Sequence, residues 1–254
     1  MISLASIDNL SGAAWRLALP PADVRLHFAS PTVVYQALRA GACDAGLLPV
    51  ARLRELSHRY VPLGAHGIAC TGAVRSVVLF SRIPLEQLIT GQEPVFITHK
   101  SETSRQLLRM LARSAYGIDP VETMQREGAA AELLIGDDAI TARQDMESTF
   151  VTDLGAWWHE QTGLPFVFAR WVVRRDMPLA ERVALEEWVG TCADLARTGG
   201  GRAVLVARSA HLLDASAGAD YYAALRFRLC QQDCQAITRF EQLQAEHAIC
   251  RQTA

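Results

Sequence analysis

The sequence has 254 residues, half of them hydrophobic and a fifth charged, with a formal net charge of −2. The length suits one large domain or two lobes, and the charge balance lacks the basic excess typical of nucleic-acid binders. No apolar run reaches the roughly 18 residues of a membrane span, and the N-terminal segment has no signal-peptide pattern. We therefore expect a cytoplasmic protein that binds neither nucleic acid nor membrane, as a monomer or homodimer.

The six cysteines are predicted to be free thiols, because their spacing matches no standard metal site. Cys230 and Cys234 lie one helical turn apart, and only His247 and Cys250 are nearby candidate ligands. Glycine-rich nucleotide loops and a nucleophile elbow are also absent from the sequence. We expect no metal site.

In the first third of the chain, strand and helix patterns alternate. The sequence predicts strands at 2–7, 23–30 and 43–50, and a helix at 9–19 with Ser11 as a possible cap. The clearest helix signal is 30–41. There Ser30 is the expected cap, Pro31 takes the first turn, Val33, Val34, Ala37 and Leu38 form one face, and Gly41 ends the helix. Residues 67–82 predict two extended pieces joined at Thr71-Gly72.

The pattern restarts after a break at 84–94, which carries Pro84, Gly91 and Pro94 and predicts a crossing segment. Strands are then predicted at 94–98, 131–136 and 164–175. Helices are predicted at 101–116, at 178–201 (from Pro178 to a triple glycine) and through the last 50 residues. This order indicates an α/β protein of two lobes. We assign 1–88 with 174–254 to one lobe and 89–173 to the other, with a ligand cleft between them.

The stretch THKSETSRQLL, residues 98–108, crowds hydroxyl groups and the only lysine of the chain, Lys100, at a predicted helix start. Ser101, Thr103 and Ser104 lie where a strand ends and a helix begins, which is a suitable position for an anion. Ordinary helix capping explains the same residues and is the commoner role. From this stretch alone, both interpretations stay open.

Other candidate residues follow strand ends or glycines. Asp137 and Asp138 follow the strand of LLIGDDAI, where acids hold a metal, act as a base or, most commonly, start a helix. Gly72 lets the backbone approach a ligand, and Arg75 with Ser76 suits a carboxylate, although a plain turn between strands fits equally well.

Two further candidates lie in the predicted first lobe or lead back to it. Asn9 follows the first strand and suits a ligand hydroxyl or a turn. Arg170 lies within the apolar run 164–175, where it needs a cleft or an acidic partner.

Taken together, several blocks resemble the chorismate dehydratase family of the futalosine route to menaquinone. They are CDAGLLPV, GIACTGAVRSVVLFSR, SETS before a helix, LLIGDDAI and DLGAWWHEQTGLPFVFARWVV, and they span nearly the whole chain. The resemblance implies a type 2 periplasmic-binding-protein-like fold of two α/β lobes, a cytoplasmic enzyme, a small anionic substrate, and no metal or organic cofactor. The alternative is a cytosolic binding protein, or a divergent enzyme, for another small cyclic or aromatic carboxylate.

By resemblance, Asn9, Ser76, Ser101, Thr103 and Ser104 match family positions. We take Asn9 as the catalytic candidate, and as substrate-binding candidates Ser76, Ser101, Thr103, Ser104, Gly72, Asp137 and Arg170. The chain departs from the family pattern at Ile7-Asp8, Val50, Thr98 and Glu102, where the family has Tyr-Leu, Ser, Asp and Arg. Glu102 in particular puts an acid beside the expected anion site. The sequence shows no convincing protein base, and His99 is the nearest candidate.

Overall fold

The computed structural model describes residues 1–100, 102–145 and 150–252. The strands are β1 (Ile2–Ile7), β2 (Val24–Ala29), β3 (Ala45–Pro49), β4 (Tyr60–Cys70), β5 (Val77–Ser81), β6 (Pro94–Ile97), β7 (Val121–Thr123), β8 (Ala131–Ile135), β9 (Phe150–Asp153), β10 (Phe166–Arg174) and β11 (Leu225–Arg228). The α-helices are α1 (Pro31–Ala40), α2 (Leu53–Leu56), α3 (Leu85–Thr90), α4 (Glu102–Tyr116), α5 (Gly136–Asp145), α6 (Leu154–Thr162), α7 (Leu179–Leu195), α8 (Gly199–Ser209), α9 (Ala215–Ala224) and α10 (Gln231–Gln252). Short 3-10 helices cover Leu10–Arg16 and Val50–Arg52. None of the helices in the described ranges has the length and hydropathy that a membrane span requires.

The elements form two compact units, each with its own sheet, and the α/β class is confirmed. The first unit is Met1–Ala69 with Val167–Gln231, and the second is Cys70–Phe166 with the segment from Gln232 onward. These bounds differ from the predicted lobes, 1–88 with 174–254 and 89–173. The physical reason is that β5 pairs with β8 and β9 of the second sheet, so the chain has already crossed before residue 77.

The first unit has a six-stranded sheet in the order β11-β4-β10-β3-β1-β2. Strands β1, β2 and β3 run parallel, and β10 runs antiparallel to β3. Its aromatic core is built around Trp171 of β10, whose ring makes edge contacts with Trp15 and Trp188. Helix α1 covers part of one face of this sheet, where Leu38 packs at Gly46 of β3.

The second unit has a five-stranded sheet in the order β7-β6-β8-β5-β9. Val78, Phe80, Leu134 and Ala139 form part of its core, with Phe96 packed against them. Helix α10 also belongs to this unit, because the Phe240 ring contacts Trp158 and Phe166. Gln244 donates a hydrogen bond to Gln106 at 2.5 Å, and His247 Nε2 lies 2.8 Å from the Asp119 carboxylate.

The strongest local signals predicted their elements well. Helix α1 begins at Pro31 and ends at Gly41, whose φ of 72° is the left-handed value that glycine favours. Val34 and Leu38 are buried as expected, whereas Val33 is half exposed. The Ser30 side chain makes no cap hydrogen bond, so proline and glycine alone mark this helix.

Four local expectations were wrong. Residues 10–16 form a 3-10 helix capped by Asn9 rather than a helix capped by Ser11. The predicted crossing segment 84–94 contains helix α3. The triple glycine begins α8, where the Thr198 hydroxyl caps the Gly201 N–H, instead of ending α7. Strand β11 interrupts the predicted C-terminal helices, because Leu225 and Phe227 alternate inward.

Candidate functional site

One edge of the second sheet collects most of the predicted site residues. Parallel strands β6 and β8 end there, with Ile97 opposite Leu133. The antiparallel strand β5 begins there, with Val77 opposite Ile135, and β9 ends there, with Asp153 opposite Val78. Helices α4, α5 and α6 therefore all start at this edge, and their N–H groups favour negative charge.

Asp153 fills the start of α6 with a carboxylate of the chain itself. Its Oδ1 accepts hydrogen bonds from Gly155 N at 2.9 Å, Ala156 N at 3.1 Å and Val74 N at 3.1 Å, and its Oδ2 accepts one from Arg75 N at 2.6 Å. The first two bonds are ordinary helix capping. The other two tie the turn before β5 to α6. The sequence pattern of an acid before a helix predicts only the capping half of this role.

The turn 72–75 is held from several sides. The Cys70 thiol donates to the Gly72 carbonyl at 3.2 Å, and a Cβ on Gly155 would lie only 2.7 Å from that same carbonyl oxygen. Gly72 has φ 77°, and a Cβ there would meet nothing within 4 Å, so open space adjoins it. Arg75 takes φ 66°, which is rare without glycine. The backbone conformation of this turn is therefore fixed by hydrogen bonds and close contacts.

The predicted serine and threonine ligands are largely buried. Ser76 is 4% exposed, Thr103 4% and Ser104 2%, and the Ser76 carbonyl accepts a 2.7 Å hydrogen bond from Gly136 N at the start of α5. Ser101 lies outside the described residues. The structure thus brings Ser76, Thr103, Ser104 and Asp137 to one sheet edge, and their contact with a ligand stays a prediction.

Lys100 bridges two neighbouring helix starts at this edge. Its Nζ lies 2.5 Å from Asp138 Oδ2, in the first turn of α5. Its backbone N–H donates to the buried Thr98 hydroxyl at 3.4 Å. Lys100 is not among the substrate-binding residues that the sequence analysis assigns. Only the pairing of strands β6 and β8 reveals its partner.

Glu102 is the acid whose charge conflicts with an anion site, and its carboxylate contacts two other residues of α4. Its Oε1 accepts from Gln106 at 2.8 Å, and its Oε2 lies 3.9 Å from Arg105. An acid in the first turn of a helix is also electrostatically favourable. Both facts reduce the cost of having Glu102 near a bound anion.

In the first unit, Asn9 directly follows β1. Its Oδ1 accepts from the Ser11 hydroxyl at 2.7 Å and from Gly12 N at 3.3 Å, capping the 3-10 helix. Within the described ranges no acceptor pairs with its Nδ2 group, and the residue is half-buried. The carboxamide is therefore oriented through its oxygen, with its N–H donors still available.

Arg170 lies opposite Leu48, one residue before the end of β3. One guanidinium nitrogen donates to the Gly64 carbonyl at 3.4 Å, while Nε is buried without a partner in the described part of the chain. No acid pairs with it among the described residues. Of the two expected explanations for Arg170, a cleft or an acidic partner, the described residues do not supply the acid, and a backbone carbonyl accepts one of its hydrogen bonds.

The described residues hold no group of three His, Cys, Asp or Glu side chains that suits a metal ion. Neither His99, the candidate base named from the sequence, nor the buried His66 has a substrate-ready position that the structure establishes. His99 is exposed beside Lys100. His66 of β4 is 3% exposed, and its burial lowers its pKa, so it is neutral at neutral pH. It packs beside Leu63 and Gly190, within the unit and away from the strand ends.

Comparison with known proteins identifies the family. Residues 3–246 match the family model described as menaquinone biosynthesis. Chorismate dehydratase of Thermus thermophilus is 33% identical over 178 residues, which is 61% of this chain and 63% of that protein. The match thus spans somewhat less than two thirds of the relative.

Solved structures share the fold at low identity. Protein AF1704 from Archaeoglobus fulgidus superposes with a TM-score of 0.72 at 14% identity, covering 98% of both chains. The alkanesulfonate-binding protein SsuA from Xanthomonas axonopodis pv. citri, bound to MOPS, gives a TM-score of 0.65 at 13% identity, covering 95% of this chain and 91% of that one. The periplasmic-binding-protein-like fold is therefore confirmed.

Proposed function

We propose that this chain, which belongs to the menaquinone-biosynthesis family, is a lyase that dehydrates chorismate to 3-[(1-carboxyvinyl)oxy]benzoate. The observation that carries the proposal is the edge of the second sheet, where α4 and α5 start side by side with Lys100 between them. This arrangement suits a carboxylate, and the substrate has two. The family match and the dehydratase relative support the choice of reaction.

The reaction requires a site that binds chorismate and orients its reacting groups. Chorismate loses its ring hydroxyl as water together with one ring proton, which the ring carboxylate acidifies through the diene, and the ring becomes aromatic. The site must hold two carboxylates, stabilise negative charge that develops on the ring carboxylate, and help the hydroxide to leave. Helix starts and hydroxyl groups supply such contacts without a metal.

We assign one carboxylate to the start of α4, with Ser101, Thr103 and Ser104, and the other to the turn of Gly72 and Ser76. Asp137 starts α5 beside them. The anchoring of this turn by Asp153 supports the second assignment, because a fixed loop keeps its donors in place. Because Ser76, Thr103 and Ser104 are buried, we propose that the ligand binds the backbone N–H groups beside them or that these side chains rearrange on binding.

From the first unit we retain Asn9 as the residue that orients the leaving hydroxyl, through its available Nδ2 donors, and Arg170 as a substrate contact. For the ring proton we propose a carboxylate of the substrate as the base. Asn9→Ala should then lower kcat far more than it weakens binding. If His99→Ala abolished turnover with affinity intact, a protein base would replace this account.

The deciding experiment is to incubate the pure protein with chorismate and follow the aromatic product by absorbance and mass. We expect stoichiometric conversion to the benzoate ether and water. The matched control is Asp214→Ala, which removes a helix cap in the first unit, far along the chain from the candidate residues. It should leave the rate unchanged.

A second candidate function is the binding of a small cyclic or aromatic carboxylate without chemistry. The fold that the chain shares with solute-binding proteins favours it. A thermal shift with chorismate in the absence of product would support this candidate and overturn the lyase proposal.

A further inference from the structure

Lys100 is a positive charge close to a helix start, where negative charge is normally favoured. It precedes α4 by two residues, where the helix N–H groups repel a cation and attract an anion. The acids Glu102, Asp137 and Asp138 in the first turns of α4 and α5 follow the rule. A cation at this position is mildly unfavourable, and an anion beside it offsets that cost.

In the structure that anion is Asp138. The pair joins the segment after β6 to the first turn of α5, and both side chains reach solvent, with 41% of Lys100 and 49% of Asp138 exposed. An exposed ion pair is weak and is screened by salt. A dissolved anion that already has other contacts at this edge can therefore take Lys100 from Asp138.

Asp138 does not lose its own stabilisation when that happens. It lies in the first turn of α5, whose N–H groups favour its charge with or without the lysine. When a ligand carboxylate replaces Asp138 as the partner of Lys100, no charge becomes buried. The change of partner is therefore readily reversible.

We propose that Lys100 binds the substrate carboxylate assigned to the α4 start and that Asp138 competes with this carboxylate for the lysine, so that the pair sets the affinity for the substrate. The inference rests on the proposed function and names a residue outside the family block.

The test uses the opposite roles of the two partners. In the full chain, Lys100→Met should raise KM for chorismate about tenfold, because a charge-assisted hydrogen bond is lost. Asp138→Asn should lower KM about threefold, because the competitor is gone. Lys100→Arg should stay near wild type, and Asp138→Asn should have no effect once Lys100 is Met. A purely structural pair would instead shift KM in the same direction in both single variants, and that result overturns the proposal.

A matched ion pair in the first unit provides the control. Arg228 and Asp194 lie 2.8 Å apart with 43% and 59% of their side chains exposed. Arg228→Met and Asp194→Asn should leave KM unchanged.

The role of Lys100 and Asp138 in ligand binding can be tested without the dehydration reaction. If the wild-type protein does not convert chorismate, the lyase proposal fails, and calorimetry with benzene-1,3-dicarboxylate then decides this inference. Weaker binding by Lys100→Met and tighter binding by Asp138→Asn support it. Absence of dicarboxylate binding by the wild type, or equal shifts in both variants, overturns it.

Discussion

The starts of helices α6 and α4 lie at the same sheet edge but are supplied with charge in opposite ways. At α6 the chain provides its own carboxylate, Asp153, which receives four backbone N–H groups. Before α4 it provides a cation, Lys100. The first start is therefore complete without a ligand, whereas at the second we propose that Lys100 binds a carboxylate of the substrate. Asp153 is an internal example of how this edge holds a carboxylate.

The largest expected effect comes from emptying the α6 start. Asp153→Ala should lower the free energy of unfolding by about 3 kcal/mol, because it removes a helix cap and two further charge-assisted hydrogen bonds. Asp214→Ala, which removes only a cap to Ala217, should cost about 1 kcal/mol. Urea titration measures both. Equal losses would show that the bonds to Val74 and Arg75 add nothing.

Asp153→Asn separates the two halves of the role. Whichever way the amide turns, its NH2 group faces a backbone N–H, since both carboxylate oxygens accept from the chain. We expect an intermediate loss of stability and a raised KM, because the turn at Gly72 loosens. A normal KM with reduced stability would limit Asp153 to capping.

A smaller effect is expected where α6 approaches the turn. Gly155→Ala brings a Cβ to 2.7 Å from the Gly72 carbonyl oxygen, and a backbone clash of this kind should cost about 2 kcal/mol. Gly200→Ala in α8 is the matched control, because nothing lies within 4 Å of its Cβ position, and it should raise stability by up to about 1 kcal/mol. Thermal unfolding of both variants compares them. Similar melting temperatures would contradict the close approach.

The smallest effect is expected at the α4 start. Breaking the Lys100–Asp138 pair by Lys100→Met should change the free energy of unfolding by less than about 0.5 kcal/mol, and 1 M salt should remove the difference. Denaturant titration at two salt concentrations measures this. A loss of unfolding free energy as large as that of Asp153→Ala would mean that Lys100 stabilises the fold and would contradict its role in ligand binding.

The two helix starts also show which features of the fold could be predicted from the sequence. Short-range signals predicted α1 through Pro31 and Gly41, and they predicted that Asp137 and Asp138 start a helix. They did not reach contacts between distant segments, such as the bond from Val74 to Asp153, 79 residues along the chain. The positive φ of Arg75 was equally hidden, because no residue type other than glycine signals it reliably.

Composition misled where tertiary packing decided the outcome. The residues 84–94 carry turn formers, yet Leu88 and Ile89 are fully buried and form part of α3. Leu225 and Phe227 looked helical beside their neighbours but enter the first sheet as β11.

Helix α10 has a consequence for the order in which the protein is made. The second unit begins at Cys70, but its core includes the Phe240 ring, which is synthesised after the whole of the first unit. A premature stop between residues 231 and 240 leaves Trp158 and Phe166 without the Phe240 ring, and such fragments become natural targets for chaperones and proteases.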